Sequence, residues 1–508
     1  MRRAAGIPWL FAALGVAAYL LLDPPSADLA AQEYRAQLVR DAGLTLWNNG
    51  WYAGHHTLGY SLLFPPLGAA IGVRVTGALA ALAAVGMFAL LARRHWGERA
   101  GNLSALWFAA GAVATLCSGR LTFMLGVAIG LGALLALRSG RHPTAAALAG
   151  LTTLASPVAG LFLVLAVVAW GLTKGSKTRA ALVVTPAMVA GILAPLLFGE
   201  GGTEPFVASA FWPALAGAVL VATLLPASER ALRIGAGLFA LACVAAFVVA
   251  TPLGGNVTRL GALAAGPVVL GALAGRRSPA LLAAVGLALA YWQLYPAVRD
   301  VARASGDPSV EAAYHVPLVR YLQGRQGSFR VEIPSTENHW EALHVARSIP
   351  LARGWERQLD RRDGALFYDG HIDARRYRAW LDERAVAYVA LPDVPLDYAA
   401  RDEARLIGRG LPFLRPVWHD ANWRVFEVRH PAPLVEGAAR TITLQADGFT
   451  LRFRRAGDAL VRVHHTRWWR VTSGRGCVAA APGEMTRVRG RAPGTVRVQA
   501  RLAGPTCR

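Results

Sequence analysis

The chain of 508 residues is 54% hydrophobic and only 17% charged, whereas about a quarter of the residues in soluble proteins are charged. That composition excludes a soluble globular protein and points to a polytopic membrane protein. The net charge of +22 would lead toward nucleic acid in a soluble chain, but here basic residues between spans serve to orient them and the tail arginines are dispersed, so nucleic acid is not a partner.

The first apolar run, Ile7 to Leu22, follows Arg2 and Arg3 and has the length of a signal-peptide core, with a weak small-residue cleavage site in DPPSADLA. Many spans follow, and GIPW is a membrane-interface beginning, which favours a retained first helix with a cytoplasmic amino terminus. Further apolar runs are Val75–Ala92, Ala100–Gly119, Leu121–Leu137, Ala180–Gly199, Trp212–Ser228, Ile234–Thr251, Leu260–Gly275 and Ser278–Tyr295. If they alternate, the basic clusters at Arg2, Arg93, Arg138, Lys174, Arg230 and Arg276 share the cytoplasmic side, and the tail is extracytoplasmic.

Pro143 to Thr173 is too long for one span, about 46 Å as a single helix. It has basic clusters at both ends. Two short segments broken around Ser156 and Pro157 keep both ends on one side, as two crossings or as a re-entrant hairpin. The expected fold is therefore a polytopic α-helical membrane protein with about 11 membrane segments. Residues 1–298 form the membrane body, with a first external loop at 23–67. Residues 299–432, which mix strand and helix signals, form an extracytoplasmic α/β domain, and 433–508, with alternating strands and Gly turns, a β-rich, sandwich-like one.

Cys117 and Cys243 lie in apolar runs as small packing residues, while Cys477 and Cys507 fall in the outside region, where a disulfide can form. No CxxC pair, HExxH, Walker loop or Rossmann glycine pattern is present.

The first loop carries most of the chemistry. DLAAQEYRAQLVRDAG, residues 28–43, places Asp28, Gln32 and Arg35 near one helical face and Glu33, Gln37 and Arg40 near another. A solvated surface helix explains this pattern without chemistry. The continuation adds Trp47, Trp51, Tyr52 and Tyr60 as interfacial aromatics, a polar group of Asn48, Asn49, His55 and His56, and Pro65 and Pro66, which stop the next apolar segment.

A retained first helix, a large first external loop opening with an acidic residue, ten or more spans and an external carboxy-terminal region resemble the C-type (GT-C) integral-membrane glycosyltransferases. The stretches GYSLLFPPLG, GRLTFMLG, SPVAGLFL, HWEALHVA and LARGWERQLD look like a group of actinobacterial multi-span proteins in that superfamily. The resemblance implies transfer of a sugar from a polyprenyl-phosphate donor to a cell-envelope glycan or lipid acceptor at the outer membrane face, usually with inversion. It implies a carboxylate base in the first external loop, a position matched by Asp28, with Glu33 and Asp41 as reserves. The leaving phosphate requires positive charge from Arg35, Arg40, Arg120 or Arg259, or a divalent metal, Mg or Mn, with His55 and His56 as ligands beside Asp28. In the tail, His339, Trp340, Glu341 and Trp355 suit a sugar platform, although core packing explains Trp340 and Trp355 equally well. The alternative functions are a non-enzymatic envelope lipid or glycan transporter, which would place polar residues deep in the spans, and an assembly component.

Overall fold

The computed structural model describes residues 6–174, 176–275 and 278–504; Arg2, Arg3, Arg276, Arg277 and Cys507, on which the topology and disulfide expectations rest, lie outside the described residues. The chain forms two compact units, a helical one of residues 1–32, 59–199 and 203–305, and a second of 33–58, 200–202 and 306–508. Residues 33–58, assigned from sequence to the membrane body, thus belong to the second unit.

In the helical unit, α1 (Ile7–Leu22) stops where Asp23 turns left-handed at φ 46°, and Pro24 and Pro25 deny a further turn its N–H donors. Asp23 is tied to Arg74, whose guanidinium lies over the Tyr19 ring. This carboxylate therefore anchors the helix end. α2 (Ala27–Ala42) leaves at 77° to α1. Pro65 and Pro66 do not stop a segment; they open α3 (Phe64–Ile71), because the first helical turn has no use for the N–H that proline lacks.

Every apolar segment read from the sequence is a helix: α1, α4 (Val73–Trp96), α5 (Glu98–Cys117), α6 (Leu121–Arg138), α7 (His142–Ala155), α8 (Pro157–Lys174), α9 (Lys177–Phe198), α10 (Ala208–Leu224), α11 (Arg230–Val248), α12 (Thr258–Leu273) and α13 (Pro279–Ala304). Among the described residues, seven helices are long and apolar enough to cross a bilayer: α4, α5, α6, α9, α11, α13, and α12 with the turn before it. The other four run 14 to 18 residues. The chain is a multi-pass membrane protein.

The long stretch at 143–173 breaks at Ser156, whose extended backbone separates α7 from α8. Ala145 and Ala149 of α7 share a buried cluster with Leu163 and Val167 of α8. A Cβ on Gly160 would strike Thr153, so the two helices double back as a hairpin. α12 packs through small residues, Gly266 beneath the Trp107 ring and Gly271 beneath Trp96; lipid offers no hydrophobic drive between helices, and close backbone approach supplies it. α13 continues past the expected end at Tyr295 to Ala304 and carries Arg299 and Asp300 in its last two turns.

The second unit contains a two-stranded ribbon, β1 (Trp47–Asn48) with β2 (His55–His56). A four-stranded mixed sheet follows in the order β3 (Arg330–Glu332), β4 (Val386–Pro392), β6 (Trp423–Val428), β5 (Leu414–His419). The helices accompanying it are α14 (Ala312–Gln323), α15 (Glu341–His344), α16 (Arg357–Asp363), α17 (Ala374–Glu383) and α18 (Arg401–Gly408). Tyr377, Trp380 and Leu381 of α17 and Ile407 of α18 cover one core with Val386, Val389 and Leu391 of β4. Two antiparallel sheets complete the unit. One is ordered β12 (Gly476–Ala480), β13 (Met485–Gly490), β10 (Gly457–His464), β7 (Val435–Gly437); the other β11 (Trp469–Ser473), β14 (Gly494–Ala500), β9 (Gly448–Phe453), β8 (Ala439–Gln445). Alternation fixes their inner faces: Phe449, Leu451, Phe453, Val496 and Val498 point into a core shared with Val461, Val463 and Val488. Trp469 is in that core and Trp468 is half-buried. Cys477 is disulfide-bonded, and Cys117 and Cys243 are free.

Trp47, Trp51 and Tyr52 are buried inside this unit rather than exposed as membrane-interface anchors. Their burial leaves no indole donor unpaired: Trp47 Nε1 donates to Asn49 Oδ1 at 2.8 Å and Trp51 Nε1 to the Ala342 carbonyl at 3.0 Å. Asn48 and Asn49 have a structural task, Asn48 accepting from Tyr34 and Asn49 donating to the Gln445 and Gly448 carbonyls.

Beneath the mixed sheet, Arg353 grips Asp360 with two hydrogen bonds of 2.9 and 2.7 Å and lies 3.4 Å from Glu403 and 3.9 Å from Glu332. One guanidinium cannot neutralise three buried carboxylates. Burial pushes Glu332 and Glu403 up, Glu403 to about 7. An acid held above its unfolded range contributes stability that is complete below the unfolded pKa and lost as pH rises through the folded value. The melting temperature of the full-length protein should fall between about pH 5 and pH 7, and Glu403→Gln, which keeps an acceptor for Tyr377, should flatten that fall; an unchanged slope would refute it.

Candidate active site

The turn Asp23–Ser26 delivers Asp28 in the first turn of α2, where the free N–H groups of a helix start favour a carboxylate. The Asp28 side chain retains 37% of its exposure and its Oδ2 stands 4.0 Å from Nη2 of Arg259. Arg259 is the second residue of α12, and its guanidinium lies over the ring of Phe123 at 5.8 Å. Phe123 is one turn into α6, whose N-cap is Arg120. The Arg120 Nε is buried with no hydrogen-bond partner. Burial and the neighbouring Arg259 hold Arg120 below its ordinary pKa, while Asp28 and Asp300 act in the opposite sense and Arg299 reinforces the lowering.

Three guanidinium groups and two carboxylates from α2, α6, α12 and α13 thus share one electrostatic neighbourhood. A cluster with an excess of cations and an unpaired buried guanidinium donor accommodates an added anion, and guanidinium forks match phosphate oxygens. Asp28, partly solvated and acceptor-only when ionised, is placed to take a proton from a neighbouring hydroxyl.

Of the residues selected from sequence, the fold brings together Asp28, Arg120 and Arg259. The rest lie in the second unit. Arg35 pairs with Glu356 at 2.5 Å beneath the Trp51 ring, and Glu33 is half-buried. Arg40 and Asp41 are exposed, each bonded to Gln37. His55 is buried and stacked on Trp51, and burial holds its imidazole down to about 3. His56 meets Glu200 at 2.7 Å and Thr466 Oγ1 at 2.8 Å. His339 is left-handed at φ 57° and buried, its ring stacked on Trp355 at 3.5 Å, with Asp397 3.4 Å and Glu341 3.8 Å away. Trp340 is buried over His344, and Glu341 accepts from Thr336 at 2.6 Å. None of these three presents an open face for a sugar. Among the described residues, no group of three or more His, Cys, Asp or Glu is arranged to hold a metal ion.

Sequence reading missed Arg299, Asp300 and Phe123. Arg299 and Asp300 were assigned to the tail because the apolar run ends at Tyr295, and nothing local shows that α13 continues.

No protein-family model matches the sequence, and no curated protein matches it significantly. Solved structures do. The structure of ArnT from Cupriavidus metallidurans in the apo state superposes with a TM-score of 0.51 at 14% identity over 84% of this chain and 98% of that one. The same protein bound to undecaprenyl phosphate gives 0.50 at 15% identity over 82% and 97%. The arabinofuranosyltransferase AftD from Mycobacteria gives 0.49 at 17% identity over 90% of this chain and 41% of that one. The chain shares the fold of ArnT.

Proposed function

We propose that the protein is a membrane glycosyltransferase that moves a sugar from a polyprenyl-phosphate donor to an envelope glycan or lipid acceptor at the outer membrane face. The observation that carries this reading is the convergence of Asp28 with Arg259 and Arg120, a base and two phosphate-binding cations drawn from three separate helices. The fold shared with ArnT, one of whose structures holds undecaprenyl phosphate, supports the same class of leaving group.

In this reading the Asp28 carboxylate removes the proton of the acceptor hydroxyl as its oxygen attacks the anomeric carbon. The bond from that carbon to the phosphate oxygen breaks on the opposite face, and its electron pair leaves with the polyprenyl phosphate. Arg120 and Arg259 offset the charge that develops on the phosphate, in surroundings where burial strengthens the attraction. The basic clusters between spans favour an outside location for the first loop and tail. Purified protein given polyprenyl-phosphate sugars extracted from envelope membranes should release polyprenyl phosphate in step with acceptor glycosylation, read by mass spectrometry. Absence of release with every such donor fraction would reject the reading.

A further inference from the structure

We infer that Gln32 is a positioning residue that holds Arg120 in place for the donor phosphate, an inference that rests on the functional reading above. Gln32 lies four residues beyond Asp28, on the same face of α2, and is 2% exposed. Its Nε2 donates to the Asp28 carbonyl at 3.0 Å and also to the Gly119 carbonyl. Its Oε1 accepts from the Thr122 backbone N–H at 3.2 Å and from Thr122 Oγ1 at 3.1 Å. The amide therefore clasps the turn on both sides of Arg120, through Gly119 before it and Thr122 after it.

The turn itself admits little else. Gly119 has φ +69°, and a Cβ there would strike Ser26 Oγ and stand 3.0 Å from the Leu29 backbone nitrogen and 3.4 Å from the Asp28 Cβ. Asp28 and Arg120 are thus carried on two backbone segments in direct contact, and Gln32 is the side chain that bonds one to the other. All of its polar atoms are used within that contact. Helix formation does not require those bonds to Gly119 and Thr122, since α2 already satisfies its own backbone. They fix the start of α6 relative to the start of α2, and hence the phosphate-binding cation relative to the base.

Gln32→Leu removes the clasp and leaves Asp28 and Arg120 chemically intact. The expected result is a rise of about tenfold in donor KM, with kcat within about threefold and its pH profile unmoved. Thr122→Val, which removes one bond and keeps the shape, should move the same constant in the same direction by a smaller factor and guards against a misfolded leucine variant. Because Gln32 acts through Arg120, the double variant Gln32→Leu with Arg120→Gln should be no worse than Arg120→Gln alone, whereas a generally structural role would multiply the two losses. Binding of undecaprenyl phosphate to the purified full-length protein separates the two readings. Wild-type binding with an unchanged Gln32→Leu variant, or multiplicative losses, overturns the clasp alone. No wild-type binding overturns the functional reading and the clasp with it.

Discussion

Asp28→Asn should reduce kcat for sugar transfer by at least about 100-fold, the loss typical when general-base assistance is removed, while undecaprenyl phosphate binds as before. The carboxamide keeps the side-chain size and can accept from the same neighbours, but it cannot take the acceptor's proton. The controls are built into the same helix. Asp41 is exposed and bonded to Gln37, and Glu33 falls on another face of α2, so Glu33→Gln and Asp41→Asn should retain most of the activity. Full transfer by Asp28→Asn beside loss in Glu33→Gln would move the base to Glu33. Steady-state kinetics of the three purified variants, each with its melting curve as a check on folding, decide between these outcomes.

Arg259→Gln should lower kcat/KM by about 10²- to 10³-fold, the range seen when a donor to developing charge is removed, and should weaken undecaprenyl phosphate as well. Arg259 stands 4.0 Å from Asp28 and against Phe123, so its guanidinium can reach the phosphate without leaving the base. Arg259→Lys tests shape against charge. A lysine restores one positive charge but not the planar fork, and recovery should be partial. Full recovery would reduce the role to a point charge, and undiminished activity in Arg259→Gln would remove the residue from the site.

Much of the helical unit was legible because the segments that cross a bilayer need long uncharged runs, a requirement local to each segment. The same locality gave the break at Ser156, since the residue before a proline is biased away from the helical region toward an extended backbone. The candidate carboxylate came from the family resemblance, which implies a base in the first external loop, a position that Asp28 matches. The aromatic and polar cluster at 47–60 was not, because a tryptophan with a hydrogen-bonding partner suits a membrane interface and a protein core equally well. Trp47 joins a core made mostly by strands beyond residue 434, and no window of sequence contains both.

The sequence by itself determined that this is a multi-pass membrane protein, where its helices run, and that its tail divides into helix-bearing and strand-rich parts, because hydrophobic period and turn chemistry act over a few residues. Only the tertiary structure decided which charges meet. Arg35 and Asp28 sit two turns apart on one helix, yet Arg35 is spent on Glu356. Arg259, more than two hundred positions away, is the cation beside Asp28. Long-range helix packing selects ion partners through the geometry of helix ends, and a carboxylate's neighbours in sequence carry no trace of that choice.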